Sequence, residues 1–88
     1  MKKFYITTSI PYVNANPHIG HALEFVQADV VARYHRAKKE EVFFLTGADE
    51  NSLKNVQAAE AQKVSTRELV DANTLKFIEL TKALNISN

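Results

Sequence analysis

Apolar residues follow two rhythms along this chain. Phe4-Tyr5-Ile6-Thr7-Thr8-Ser9-Ile10 is rich in aromatic and β-branched residues, which predicts a strand over 4–10 that Pro11 stops. Tyr12 to Asn16, caught between Pro11 and Pro17, reads as a loop by composition. From Ile19 to Lys38 the period lengthens. Ile19, Leu23, Val26 and Val30 recur at spacings of four, three and four, which predicts a helix. Phe25, Ala28 and Ala32 widen its apolar face, so more than one side of it should be covered. Val42-Phe43-Phe44-Leu45-Thr46 is continuous rather than alternating, as in an interior strand of a parallel sheet, and Gly47 ends it. A second helix is predicted over 52–62. A third opens at Ser65-Thr66-Arg67-Glu68, which fits a capping box, with Val64 and Leu69 spaced as a hydrophobic staple. Phe77, Leu80 and Leu84 carry its apolar face, and Asn85 is the predicted stop.

The order strand-helix-strand-helix-helix implies an α/β fold with parallel strands and a right-handed crossover. Two parallel strands do not complete a stable sheet. Residues 1–88 therefore read as the first part of a Rossmann-like, doubly wound parallel sheet, an incomplete domain.

Composition and charge narrow the picture only slightly. Leu, Ile, Val and Phe make up 25 of the 88 residues, above the level at which disorder is the default. Eleven basic residues against ten acidic ones give a net charge of +1. A segment that gripped nucleic acid through its phosphates would be more basic, so if RNA is a partner this segment is not the main handle. With no cysteine, disulfides and thiolate metal sites are excluded. The N-terminus turns polar at Thr7-Thr8-Ser9, too soon for a signal peptide, and no apolar run reaches the ~18 residues of a membrane span. A cytoplasmic protein without membrane contact is the expectation.

In doubly wound sheets ligands sit beyond the C-terminal ends of the strands. Two polar clusters fall there: Pro11, Tyr12, Asn14, Asn16, His18 and His21 after the first strand, and Asp49, Glu50 and Asn51 after the second. His18 and His21 share a face at a helix start, where free N–H groups attract anions, and Gly20 between them leaves the backbone open. That arrangement suits a polyphosphate; it also suits a pair of capping or surface histidines. A metal site is disfavoured, because Asp49 is the only further ligand from another segment. Asp49 reads either as the partner of a ligand's ammonium group or as a helix N-cap. Tyr12 reads as a pocket wall or a packed aromatic. Arg33, Arg36, Lys38 and Lys39 read as a solvated, dipole-matching helix end. Neither common glycine-rich phosphate loop is present.

Pro17-His18-Ile19-Gly20-His21 contains the His-Ile-Gly-His signature of class I aminoacyl-tRNA synthetases. Its flanks, Ile10 to Asn16 before it and Ala22-Leu23-Glu24, Gln27 to Val30 and Arg33-Tyr34 after it, resemble methionyl-tRNA synthetases. So does Val42 to Gly47 leading into Asp49-Glu50, and Leu84 to Asn88 resembles the family's run into its third strand. The resemblance implies an ATP-dependent ligase. It activates methionine to methionyl adenylate, with Mg and ATP as substrate, and passes it to tRNA. By the same resemblance His18 and His21 contact the ATP phosphates and stabilise charge as pyrophosphate leaves. Gly20 makes room for adenine, Ile10, Pro11 and Tyr12 line the methionine pocket, and Asp49 holds the substrate's amino group.

Three departures stand out. Asn51 and Ser52 occupy positions where many members have His and Gly, and Lys39 one where many have Gly. The chain also lacks the second ATP loop, the inserted domain in which zinc is possible, and the anticodon-binding domain. Two other readings remain: a different member of the His-x-Gly-His nucleotidyltransferase superfamily, or a non-catalytic, truncated nucleotide-binding or interaction module. A chain of this length with uncovered strands is also expected to self-associate.

Overall fold

Two short strands, β1 (Lys3–Thr7) and β2 (Glu41–Leu45), pair in parallel, with Lys3 opposite Glu41 and Thr7 opposite Leu45. They belong to a computed structural model that describes all 88 residues. The long helix α1 (Ile19–Ala37) joins them, and α2 (Leu53–Gln62) and α3 (Thr66–Ala83) follow. The element order and the parallel pairing agree with expectation. β1 does not: it stops at Thr7 rather than Ile10. One last ladder bond runs from the Thr8 amide to the Leu45 carbonyl, the Thr8 and Thr46 hydroxyls pair at 2.6 Å, and then the Ser9 amide turns to Glu24. Side-chain acceptors thus replace the ladder before the apolar run is exhausted.

The face that α1 presents to the protein also differs from the predicted stripe. Its buried residues are Phe25, Ala28, Asp29 and Ala32, whereas Ile19, Leu23 and Val30 are exposed. Ala28 and Ala32 are small enough to let α1 lie close on Phe44, with Ile6 and Val42 alongside. The sheet, α3, Val13 and residues 85–87 cover one side of the helix, and the larger residues remain outside it. A second cluster, Val13, Phe25, Val70 and Phe77, joins the loop after β1 to α1 and α3. Ile86 touches both clusters.

Helix starts follow the sequence closely. The Ser52 hydroxyl accepts from the Asn55 amide at 3.2 Å and the Ser65 hydroxyl from the Glu68 amide at 3.1 Å. Glu68 supplies no reciprocal bond, so Ser65 is a simple N-cap. The helix ends share a device. Lys39, Lys63 and Asn85 all have positive φ, at 63°, 57° and 54°. After each, an amide reaches back five residues: Glu40 to His35, Val64 to Ala59 and Ile86 to Thr81. This is the Schellman closure usually built on glycine. Lys39 therefore takes the left-handed conformation.

The basic end of α1 is not merely solvated. Arg33 binds Asp29 at 2.8 Å and the Asn85 carbonyl at 2.6 Å, and Arg36 binds the Ser87 carbonyl at 2.9 Å. Asp29 accepts from the Ser87 amide at 2.9 Å and from the Ser87 hydroxyl. Residues 85–87 are thus clamped along α1. Burial disfavours the Asp29 anion, but the bonds from Ser87 and Arg33 outweigh it and hold the carboxyl below its usual range. No helix is long and apolar enough to cross a membrane.

Candidate functional site

The loop from Thr8 to Pro17 leaves the C-terminal end of β1 and is stapled on both sides. From α1, the Glu24 carboxylate accepts from the Ser9 amide at 2.9 Å and the Ser9 hydroxyl at 2.8 Å. Those bonds, the backbone one foremost, keep the Glu24 carboxyl below its ordinary value. From α3, the Asn73 amide group donates to the buried Val13 carbonyl at 2.7 Å, and Lys76 donates to the Asn16 side chain at 2.7 Å. Val13 is fully buried at the centre of the loop. Its neighbours are therefore held rather than free to wander.

His18 ends the loop and caps α1. Its Nδ1 accepts from the Gly20 amide at 3.0 Å, while its own amide donates to His21 Nδ1 at 3.1 Å. The geometry is a capping box built from two histidines instead of Ser/Thr and Glu/Gln. The two rings stack with centroids 3.9 Å apart, and His21 meets the Phe77 ring edge-on at 5.0 Å. Partial burial, then the neighbouring His18, push the His21 imidazole below its ordinary pKa; Glu24 opposes them weakly. The capping reading and the donor-pair reading therefore coexist in the same side chains.

Asp49 arrives from β2. Tyr12 and Asp49 form an isolated parallel bridge, with the Asp49 amide donating to the Pro11 carbonyl at 2.7 Å. The loops after both strands are thereby tied together, as the topology required. Asp49 is not a helix N-cap, since Ser52 occupies that position. Its carboxylate instead accepts from the Asn51 amide at 3.0 Å, and its carbonyl accepts from the buried Asn55 side chain at 3.1 Å. Glu50 is held from α3 by the Thr74 hydroxyl at 2.9 Å.

Ile10, Pro11, Tyr12, Asn16, His18 and His21 line one open groove of about 380 Å³. Two of the residues singled out from the sequence do not line it. Gly20 lies beneath the His18 ring, and Asp49 joins the groove only through its backbone pairing with Tyr12. A second, more apolar hollow of about 270 Å³ lies between Phe25, Gly47, Thr74, Phe77 and Asn88. Sequence reading passed over Asn73, Lys76, Glu24 and Lys54, whose ammonium stands 5.1 Å over the Tyr12 ring. A signal for Asn73 exists: it is a lone amide among Leu69, Val70 and Phe77 on the buried side of α3, where an unpaired polar group would be costly. Lys76 and Lys54 carry no such mark, because exposed lysines are ordinary.

The family described as tRNA synthetases class I (M) matches residues 4–88. A methionine–tRNA ligase from Brucella suis is 46% identical over 87 residues, 99% of this chain and 17% of that protein. The Mycobacterium tuberculosis methionyl-tRNA synthetase, solved in complex with methionyl-adenylate, superposes with a TM-score of 0.96 at 48% identity, covering 99% of this chain and 17% of that one. A LeuRS–tRNA–LeuAMS complex from Agrobacterium radiobacter K84 is more distant, with a TM-score of 0.78 at 28% identity over 82% of this chain and 9% of that one. The chain thus spans about a sixth of the length of the methionine enzymes it matches.

Proposed function

Because this chain belongs to the class I methionyl-tRNA synthetases, we propose that it forms the part of a catalytic domain that receives methionine and ATP. The observation that carries this reading is the joining of the two strand-end loops. The Tyr12–Asp49 bridge ties Asp49 through its backbone to a groove walled by Ile10, Pro11 and Tyr12, which His18 and His21 also line. The apolar wall and the anion-friendly helix start share one groove, and Asp49 is bridged to its Tyr12 wall, a grouping that suits an amino acid joined to a nucleotide.

In the proposed reaction the methionine carboxylate attacks the α-phosphorus of ATP, the bond to the leaving pyrophosphate breaks, and methionyl adenylate forms. The methionine then passes to tRNA, which this segment contacts little. Mg²⁺ arrives with ATP as substrate. Asp49 pairs with the methionine ammonium, and Ile10, Pro11 and Tyr12 flank its side chain. His18 and His21 donate to the phosphates, where negative charge grows as pyrophosphate departs, in the field of the α1 N-terminus. Gly20 keeps the backbone low beside the nucleotide. No side chain of this chain needs to become a nucleophile; alignment and charge stabilisation supply the rate. The likeness to an enzyme solved with methionyl-adenylate supports this reading, and 48% identity to it against 28% to LeuRS favours methionine.

The test is a chimera in which residues 1–88 replace the matching residues of the Brucella suis enzyme. It should catalyse methionine-dependent ATP–pyrophosphate exchange, with His21→Ala reducing turnover by at least 10²-fold and Asp49→Ala raising the methionine KM far more than the ATP KM. Exchange indifferent to both substitutions would overturn the proposal. The 88-residue chain alone is expected to form no methionyl-tRNA.

A further inference from the structure

The capping box at the start of α1 has a consequence for proton placement. A neutral imidazole has one N–H and one bare nitrogen, and an imidazolium has two N–H groups and no acceptor. His18 Nδ1 accepts the Gly20 amide and His21 Nδ1 accepts the His18 amide. Each Nδ1 must therefore be bare, and each proton must sit on Nε2. We infer that the backbone of α1 fixes both histidines as Nε2–H tautomers, so that residues 18 and 20 act as positioning groups for a pair of Nε2–H donors on stacked rings. Protonating either ring removes an acceptor and opens the cap, so the donor pair and the first turn of α1 are lost together on acidification.

The surroundings fit. Stacking at 3.9 Å sets two positive charges face to face if both rings protonate, and Phe77 closes one side of His21 without offering an acceptor. The charged groups nearby are few. Glu24, on α1, favours a positive His21 but is engaged with Ser9. Lys76, on α3, is engaged with Asn16. Glu50, on the loop before α2, is held by Thr74. Burial and His18 together already bias His21 toward the neutral form. The tautomer assignment needs no ligand. Only its use, two donors aimed at phosphate, rests on the function proposed above.

His35 supplies an internal reference. Its Nδ1 lies 2.5 Å from the Glu40 carboxylate, so it must carry its proton on Nδ1, the opposite arrangement. With ¹⁵N-histidine incorporated, long-range ¹H–¹⁵N correlation spectra of the 88-residue chain at pH 8 should show Nε2–H for two rings and an Nδ1–H for the third. Below the imidazole titration the Gly20 and His18 amides should exchange about fivefold faster, corrected for intrinsic rates, as loss of a cap predicts. Glutamine is the ordinary residue at the third position of a capping box, and His21→Gln should leave the His18 amide indifferent to acid. An Nδ1–H on His18 or His21, or cap amides that ignore the ring titration, would overturn the inference. So would three rings with the averaged signals of free imidazole, since no cap would then exist in solution. Because the rings are read without ATP, failure here and failure of the exchange assay are separate results.

Discussion

Gly20 is small for a reason internal to the chain. A Cβ at this position would lie 2.8 Å from His18 Cε1 and 3.0 Å from its Nδ1, so any side chain must push the capping ring away. Gly20→Ala is expected to break the cap, lowering stability by about 1 kcal/mol despite alanine's better helix propensity. In the chimera it should weaken ATP use more than methionine use; an unchanged ATP KM with an intact His18 signal would refute this. Acid should act through named side chains as well. Asp29, Glu24 and Glu40 all have carboxyl groups held below their ordinary values, Glu40 first by its bond from His35. Their contributions are present above the usual carboxylate pKa of about 4 and vanish as pH falls through the lower folded values. The depressed His21 adds a contribution that is complete above about pH 6.5 and lost below it. Stability measured by urea midpoints should therefore fall in two stages on acidification, and Asp29→Asn should remove part of the lower stage while costing about 1–3 kcal/mol at neutral pH. A flat profile from pH 7 down to about 2 would show these groups to be unshifted. At this scale the candidate site was legible where polar residues cluster after the strands. His18, His21 and Asp49 marked themselves by residue type and position. Lys54 and Lys76 did not, because nothing in a lysine's sequence position tells which neighbour it will lie against.

Helix ends are where this chain departs most from low-energy backbone. Lys39 and Lys63 adopt a left-handed conformation that disfavours side-chain-bearing residues by roughly 1–2 kcal/mol. Lys39→Gly and Lys63→Gly should each stabilise the fold by about 0.5–1 kcal/mol, the relief of strain being partly offset by the extra freedom glycine gives the unfolded chain. Thermal unfolding of the single and double variants checks this, with additive gains expected because the sites belong to different helices. A loss at either position would mean that the lysine side chain contributes more than its backbone strain costs. The order and type of the elements were readable because short aromatic and β-branched runs differ so plainly from a 3.6-residue period. The length of β1 was not readable, since Thr8 and Ser9 fit a strand as well as they fit the side-chain bonds that end it. Nor was the buried side of α1. Ile19, Leu23 and Val30 are as apolar as a core stripe, and only the absence of a layer over them leaves them outside.

As a whole the molecule is long and thinly covered. Its radius of gyration is 15.1 Å, where a closed globule of this length would have about 12 Å. Its accessible surface of 6000 Å² exceeds the roughly 5200 Å² expected for its mass. Only 13 of 88 residues are buried, too few to leave much stability in reserve. On the sheet face turned away from α1, Tyr5 and Phe43 stack at 5.3 Å and Leu45 lies beside them, all at least half exposed. Each strand also has one unpaired edge. The isolated chain is therefore expected to self-associate through this face. Sedimentation across a hundredfold range of concentration checks this; a strict monomer would contradict it. That a larger sheet was implied could be read from two apolar strands joined by one helix. The clamp on residues 85–87 could not, because its partners lie more than fifty residues apart and neither end is unusual by itself.

That clamp also sets an order in time. Asp29 and Ser87 are separated by 58 residues. A ribosome adding roughly 5–20 residues per second takes about 3–12 s to pass from one to the other. Once Leu45 has been added, α1 and both strands have been made, yet until Ser87 arrives the Asp29 carboxylate has only Arg33 and water. The nascent segment must wait for residues 85–87 to arrive and lock it.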